Sequence, residues 1–126
     1  MIHSIVIGIM MCDAKGGAGL DLENLEKEMN RGFLQLVILM LLERPMYGYQ
    51  MSKLMEDKGA AIEESTLYPL MRRLEAQGLL ESRWDTSEGK ARKYYQVTEA
   101  GREVRSRLKD IVRRQSVLID DLHGGI

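Results

Sequence analysis

The sequence predicts a mainly α-helical domain that carries one small β-hairpin, an α+β fold class. The evidence is concentrated in residues 63–101, where an amphipathic helix, a short strand, a basic glycine turn, a second strand and a new helix start follow one another. Two helical segments precede this run, and a long helix follows it. This order is the plan of a winged helix-turn-helix domain with an added C-terminal helix.

Charge is distributed unevenly along the chain. The net charge is -1, but residues 65–114 hold 12 Lys and Arg against 7 Asp and Glu, whereas residues 1–64 hold 6 against 10. The positive excess therefore coincides with the winged segment, an asymmetry typical of proteins that bind a polyanion. A basic surface that is exposed to solvent and binds no partner would give the same excess of positive residues, so charge alone leaves both interpretations open.

Few residues suit metal, redox or catalytic chemistry. Cys12 is the only cysteine, which excludes an intrachain disulfide and makes a cytoplasmic location the expectation. His3 and His123 lie at opposite ends of the chain, so we expect no metal site and no cofactor. We find no nucleophile paired with a base and no phosphate-cradling glycine loop, and therefore do not expect an enzyme. No apolar run reaches the roughly 18 residues of a membrane span, so no membrane partner is expected.

The N-terminal residues 1–20 are expected to form an extension of the folded domain. Residues 1–12 are apolar but short, and residues 14–19 (AKGGAG) have the composition of a flexible linker. A disordered segment, an added strand or dimer-packing arm, a weak secretory signal and upstream sequence from an early start codon all stay open. We place the winged helix domain at residues 21–98 and a dimerisation helix with its tail at residues 99–126.

The apolar spacing of the domain predicts three helices before the hairpin. The first two cover residues 22–43 and 46–58, and the third begins near Glu64 or Ser65. Ser65 is the expected N-cap of the third helix, with Pro69 in its first turn, where proline costs little. Gly59 and Gly78 are expected to end the second and third helices. The core-facing residues of the third helix recur at helical spacing: Leu67, Leu70, Met71 and Leu74.

Two strands are predicted after the third helix. They cover residues 79–85 and 90–98, and Ser87, Glu88 and Gly89 supply the turn between them. Trp84 lies on the first strand, where we expect it to pack against the base of the wing rather than to stack on a ligand.

The last helix is predicted to start after Thr98, its N-cap, and to reach about Leu122. Its apolar positions form a heptad seam with one polar residue. Packing on its own domain is the alternative, but the helix is longer than that role needs, which favours a dimer seam. The seam residues are Val104, Leu108, Ile111, Gln115, Leu118 and Leu122.

The third helix has the residue types that a duplex-reading helix needs. Hydroxyl groups at its N-terminus, on Ser65, Thr66 and Tyr68, suit phosphate oxygens. One turn later, Arg72 and Arg73 provide donors for a guanine or a phosphate. Salt bridges from these arginines to Glu75 or Glu81 are the alternative.

The hairpin and the second helix add further candidate contacts. Lys90, Arg92 and Lys93 lie at or beside the hairpin tip, where an extended arm reaches phosphates or the minor groove. Tyr49 is a candidate phosphate contact through its hydroxyl, whereas Tyr47 is expected to pack inward. The expected partner is double-stranded DNA. A winged helix used for protein contacts, without specific DNA binding, is the alternative.

Three motifs resemble the PadR family of winged helix transcriptional regulators. They are RGFLQLVILMLLERPMYGYQM, ESTLYPLMRRLEAQGLLES and GKARKYYQVTEAGR, which occur in this order between Arg31 and Asp121. The resemblance implies a homodimeric repressor that binds DNA through its third helix and wing. It further implies dimerisation through the C-terminal helix, with help from the first helix.

The resemblance also bears on ligands. Some members of the family release DNA when a phenolic acid or a planar drug binds, so a small aromatic effector is a candidate partner. The single C-terminal helix resembles that of the short subfamily. This chain has no aromatic residue after Tyr95, which argues against a planar-drug pocket on the last helix.

Overall fold

The computed structural model describes residues 21–125, and the extension predicted for residues 1–20 lies outside them. The elements, in chain order, are α1 (Leu22–Leu41), α2 (Gly48–Asp57), α3 (Glu64–Ala76), β1 (Leu80–Asp85), β2 (Arg92–Val97) and α4 (Glu99–Gly125). The two strands form one antiparallel hairpin. This architecture confirms the predicted winged helix with an added C-terminal helix. Within the described part of the chain, no helix is both long and apolar enough to cross a bilayer.

The hydrophobic core lies where α1, α2, α3 and the hairpin meet. The predicted core face of α3 is confirmed, since Leu67, Met71 and Leu74 are buried and Leu70 packs beside them. Burying a side chain of this size stabilises the fold by about 1.5–3 kcal/mol. The fully buried partners from the rest of the domain are Ile38, Leu39, Leu42, Met51 and Val97.

The start of α3 differs from the prediction. The N-cap position is Glu63, and the Ser65 hydroxyl lies inside the helix, 3.3 Å from a carboxylate oxygen of Glu63. Pro69 therefore falls in the second turn, where it removes the hydrogen bond that the Ser65 carbonyl would otherwise accept. Pro69 lies on the exposed face of α3, so water can replace the missing donor.

Glycine ends α2 and α3 as predicted. Gly59 and Gly78 follow the two helices with φ of 80° and 78°, a backbone conformation that side chains with a Cβ disfavour. After α3, the Leu79 N–H donates to the Leu74 carbonyl at 2.9 Å and closes the last turn. The chain thereby reverses directly from α3 into β1, which places the wing beside the helix.

The segment between α1 and α2 is joined to the wing. Met46, predicted to be helical, instead forms a β-bridge with Tyr95. Each residue donates its N–H to the other's carbonyl, at 3.1 Å from Met46 and 2.9 Å from Tyr95. Strand β2 is thus hydrogen-bonded on one edge to β1 and on the other to this segment, which fixes the base of the wing.

The start of α4 is anchored against the turn between α3 and β1. Thr98 is its N-cap, as predicted: the Thr98 hydroxyl accepts from the Gly101 N–H at 3.0 Å and donates to the Gly78 carbonyl at 2.7 Å. Gly101 is buried, and a Cβ at this position would collide with the Leu79 carbonyl oxygen and approach Val97 Cγ2 to 2.6 Å. Glycine is therefore what allows α4 to cross so close to the wing.

An ion-pair cluster joins α4 to the end of α1. The Arg105 guanidinium donates to the Glu43 carboxylate at 2.6 Å, and Arg102 lies 3.4 Å from the same group. The hydrogen bond from Arg105, with the positive charge of both arginines, lowers the pKa of Glu43. A lowered pKa stabilises the fold above the ordinary carboxyl pKa, and this contribution is lost as the pH falls through the folded-state pKa.

The predicted seam of α4 divides into two parts. Val104 and Leu108 pack against the core of their own domain, as the alternative interpretation had it. Beyond them, Ile111, Leu118 and Leu122 are 37%, 55% and 54% exposed, and Gln115 is exposed as well. The second half of the seam thus has no apolar partner among residues 21–125. The N-terminal half of α1 adds exposed apolar side chains of its own: Leu22, Leu25 and Met29.

Candidate nucleic-acid interface

A cleft of about 610 Å³ lies between α3 and the wing. Because α3 runs into β1 through one tight turn, side chains of the helix and of the hairpin converge on this space. Five of the nine residues predicted to contact DNA lie around the cleft: Tyr49, Tyr68, Arg72, Arg92 and Lys93. The cleft thus brings together hydroxyl donors and cations from three elements.

The other four predicted residues lie outside the cleft and are exposed. They are Ser65, Thr66, Arg73 and Lys90. Successive helical residues are about 100° apart around the axis, which places Ser65 beside Arg72 at the centre of the exposed face. Thr66 and Arg73 share the flank that points away from Tyr68. The predicted reading residues therefore span the full outer surface of α3 rather than one narrow stripe.

The arginines of α3 do not form the salt bridges that were the alternative interpretation. Among residues 21–125, no ion pair includes Arg72 or Arg73. Glu75 instead lies 3.8 Å from Lys93 and accepts a short hydrogen bond from the Ser82 hydroxyl. These contacts tie α3 to both strands of the wing. Both guanidinium groups of α3 remain exposed and available to an anionic partner.

Tyr68 is packed against the start of α2. A Cβ on Gly48 would come within 2.5 Å of the Tyr68 hydroxyl oxygen and 2.7 Å of its ring, so glycine makes room for the phenol. Burial, reinforced by the negative charge of Glu64, raises the pKa of Tyr68. A phenol is protonated at neutral pH even at its ordinary pKa, so the Tyr68 hydroxyl is a hydrogen-bond donor.

The cations of the wing are held by aromatic rings and carboxylates. The Arg92 guanidinium carbon lies 4.9 Å from the centre of the Tyr47 ring, and its Nη1 lies 3.5 Å from a Glu88 oxygen. The Lys93 ammonium lies 5.3 Å from the centre of the Tyr95 ring. Such contacts restrict long side chains, so less conformational entropy is lost when an anion binds. Lys90, in the turn, is exposed.

Two aromatic residues differ from the prediction. Tyr47 does not pack into the core but lines the cleft half-buried, with its ring edge-on to Tyr94 at 5.2 Å between centres. Trp84 was expected to pack at the base of the wing, yet it is 65% exposed and lines the same cleft. Alternation along β1 places Trp84 on the face of Leu80, but the strand has passed the end of the buried core at this point.

Within residues 21–125, no group of three or more His, Cys, Asp or Glu side chains is arranged to hold a metal ion. The cleft is lined by cations, hydroxyl groups and aromatic rings, together with one carboxylate, Glu64.

A winged helix domain with a basic reading face is the architecture of DNA-binding transcriptional regulators. The sequence agrees with this class: residues 37–107 match the transcriptional regulator PadR-like family. The chain belongs to this family. Its members regulate transcription, and the chain is accordingly a DNA-binding regulator rather than an enzyme.

Individual relatives support the same assignment. A PadR family transcriptional regulator from Eggerthella lenta is 43% identical, with a TM-score of 0.66 over 82% of this chain and 89% of that one. A PadR-like transcriptional regulator from Bacillus cereus is 31% identical, with a TM-score of 0.64 over 75% of this chain and 95% of that one. The transcriptional regulator Rv3488 of Mycobacterium tuberculosis is 34% identical over 92 residues, or 69% of this chain and 86% of the relative.

Proposed function

We propose that the protein is a homodimeric, sequence-specific repressor that acts in the cytoplasm on a pseudo-palindromic operator. The observation that carries this proposal is the exposed guanidinium pair of α3 beside the wing, with Arg72, Arg92 and Lys93 around one cleft. The major groove of B-DNA admits one α-helix, and a wing beside that helix reaches the flanking backbone. The winged domain binds DNA, and the helix after residue 98 forms the dimer.

The proposed contacts follow from the chemistry of each side chain. The hydroxyls of Ser65, Thr66, Tyr68 and Tyr49 donate to phosphate oxygens and set the position of the helix. Arg72 lies at the centre of the exposed face and pairs with a guanine edge, while Arg73 binds from the flank. The wing residues neutralise phosphates beside the groove: Lys90, Arg92 and Lys93.

The proposed dimer is supported by the apolar side chains that one copy leaves exposed. Ile111, Leu118 and Leu122 on α4 are at the seam positions, and Leu25 and Met29 on α1 are also open to solvent. A second copy covers them through the same surface in a two-fold arrangement. Two α3 helices related in this way read successive major grooves about 34 Å apart.

Release of DNA by a small aromatic effector is part of the proposal, on the basis of family membership. The binding site of such an effector is not expected to depend on stacking by α4, because no aromatic residue follows Tyr95.

Arg72→Ala is expected to weaken operator binding by about 5- to 150-fold, which corresponds to the 1–3 kcal/mol of one bidentate base contact. The fold should be unaffected, because Arg72 is exposed and forms no ion pair within the described residues. A mobility-shift titration of the operator measures the change, and Arg107→Ala on α4 is a control with the same loss of charge. Unchanged affinity in both Arg72→Ala and Arg73→Ala would contradict the assignment of α3 as the reading helix.

Binding to duplex DNA is expected to fall steeply with salt, because each neutralised phosphate contributes about -0.9 to the slope of log affinity against log salt concentration. Fluorescence anisotropy with a labelled duplex at several salt concentrations gives the slope. The alternative function, a winged helix that binds only proteins, predicts no retention on heparin or random duplex and no such slope.

A further inference from the structure

Trp84 is the one tryptophan of the chain, and 65% of it is exposed on β1. Single exposed apolar side chains are common on protein surfaces and need no special explanation. Trp84 differs because it borders the cleft that also holds Arg72, Arg92 and Lys93. An open indole ring among three cations forms a surface with two kinds of affinity, for apolar groups and for anions.

The wing holds the indole ring in this place. Trp84 lies opposite Lys93 in the register of the hairpin, and the Lys93 ammonium is 6.0 Å from the ring centre. Lys93 is itself held 3.8 Å from Glu75 of α3. Lys93 thus lies between the indole ring and α3, which places the ring beside this helix.

The backbone of duplex DNA has a matching pattern, since anionic phosphates alternate with deoxyribose rings that expose apolar C–H groups. We propose that Trp84 is a DNA contact, whose indole ring packs on a deoxyribose next to a phosphate bound by Arg72 or Arg92. This inference rests on the proposed function, because it requires α3 and the wing to approach one duplex together. It assigns to the wing an apolar contact in addition to its charges.

The contact has a signature that separates it from a phosphate contact. Packing of an uncharged ring releases no counterion, so the loss of Trp84 lowers affinity without changing the salt slope. Loss of a lysine that binds a phosphate reduces the magnitude of the slope by about 0.9. Trp84→Ala and Lys90→Ala are therefore expected to weaken binding in two distinguishable ways.

The test measures anisotropy of a labelled duplex across salt concentrations for wild type, Trp84→Ala, Trp84→Phe and Lys90→Ala. We expect Trp84→Ala to bind roughly tenfold more weakly with an unchanged slope, and Trp84→Phe to recover most of the affinity through its remaining ring. Because Trp84 is the one tryptophan, its emission should also change as unlabelled duplex saturates the wild type. Thermal unfolding of Trp84→Ala should match that of the wild type, since the ring is mostly exposed.

The outcomes separate this inference from the proposed function. Wild-type affinity in Trp84→Ala together with unchanged tryptophan emission overturns the inference and leaves DNA binding intact. A shift of Trp84→Ala from dimer to monomer in sedimentation also overturns it, because the ring then belongs to a contact between copies. Failure of the wild type itself to bind any duplex refutes the proposed function.

Discussion

Leu118→Asp is expected to convert the proposed dimer into a monomer and to abolish specific DNA binding. Leu118 is 55% exposed in one copy and lies in the half of the α4 seam that meets no apolar partner in the part of the chain that the structure describes. A carboxylate in an apolar seam loses its hydration without gaining a partner, which costs several kcal/mol. A monomer keeps one reading helix, and loss of the linked second site lowers affinity by about a hundredfold or more.

The control for this prediction is Val117→Asp. Val117 is also exposed, at 58%, but lies about 100° around α4 from Leu118, on the side that carries Arg113, Arg114 and Asp121. The Val117→Asp variant should remain dimeric and bind the operator as the wild type does. Sedimentation at micromolar concentration and operator titration check both variants. A monomeric wild type, or a Leu118→Asp variant that dimerises normally, would contradict the prediction that α4 forms the dimer contact.

Gly101→Ala is expected to destabilise the fold by about 1–3 kcal/mol, the usual range for a side chain forced into a packed site. The added methyl group would collide with the Leu79 carbonyl oxygen and press on Val97 Cγ2. Neither neighbour is free to move, because the Leu79 carbonyl accepts from the Thr98 N–H at 3.1 Å and Val97 is buried. The clash therefore has to be relieved by shifting α4 relative to the wing.

Gly32→Ala is the matched control, since it makes the same change inside another helix. Among residues 21–125 of the same copy, and apart from the backbone of α1 itself, no atom lies within 4 Å of a Cβ at Gly32. There, alanine should stabilise α1 by about 0.5–1 kcal/mol through its better helix propensity. In urea unfolding, the free energy of unfolding should fall for Gly101→Ala and rise for Gly32→Ala if the contact at Gly101 is as close as described. Stabilisation by both substitutions would show that α4 does not cross the wing at this distance.

The sequence predicted the parts of the fold that depend on local patterns. The apolar spacing of α3 identified Leu67, Met71 and Leu74 as core residues, and all three are buried. Gly78 and Thr98 were assigned to a helix end and a helix start from their own chemistry, and both act there. These features follow from residues a few positions apart, so periodicity and capping preferences are sufficient to find them.

Apart from the N-cap of α3, which is Glu63 rather than Ser65, the parts that were wrong or unforeseen depend on distant residues. Met46 pairs with Tyr95, almost fifty positions later, and no local pattern marks such a bridge. Trp84 has the alternation of a buried strand residue, but the strand extends beyond the core that would cover it. The α4 seam is continuous in sequence, yet Val104 and Leu108 meet the domain core while Leu118 does not.

The candidate site was predicted from residue types, and the structure adds which of them meet. Nothing in the sequence indicated that Glu75 would hold Lys93 instead of pairing with Arg72. The resulting cleft joins α3 to the wing, and its aromatic lining was largely unforeseen. These are side-chain contacts between elements, which the sequence specifies only once the fold has brought the elements together.

Selection of bound fragments from a random duplex library tests the central claim most directly, because it examines sequence-specific binding and two-fold symmetry in one measurement. We predict enrichment of an inverted repeat whose half-sites are one helical turn apart, about 10–10.5 base pairs from centre to centre. Recovery of fragments without a shared sequence, at the level of a library that met no protein, would contradict the assignment of this chain as a dimeric, sequence-specific regulator.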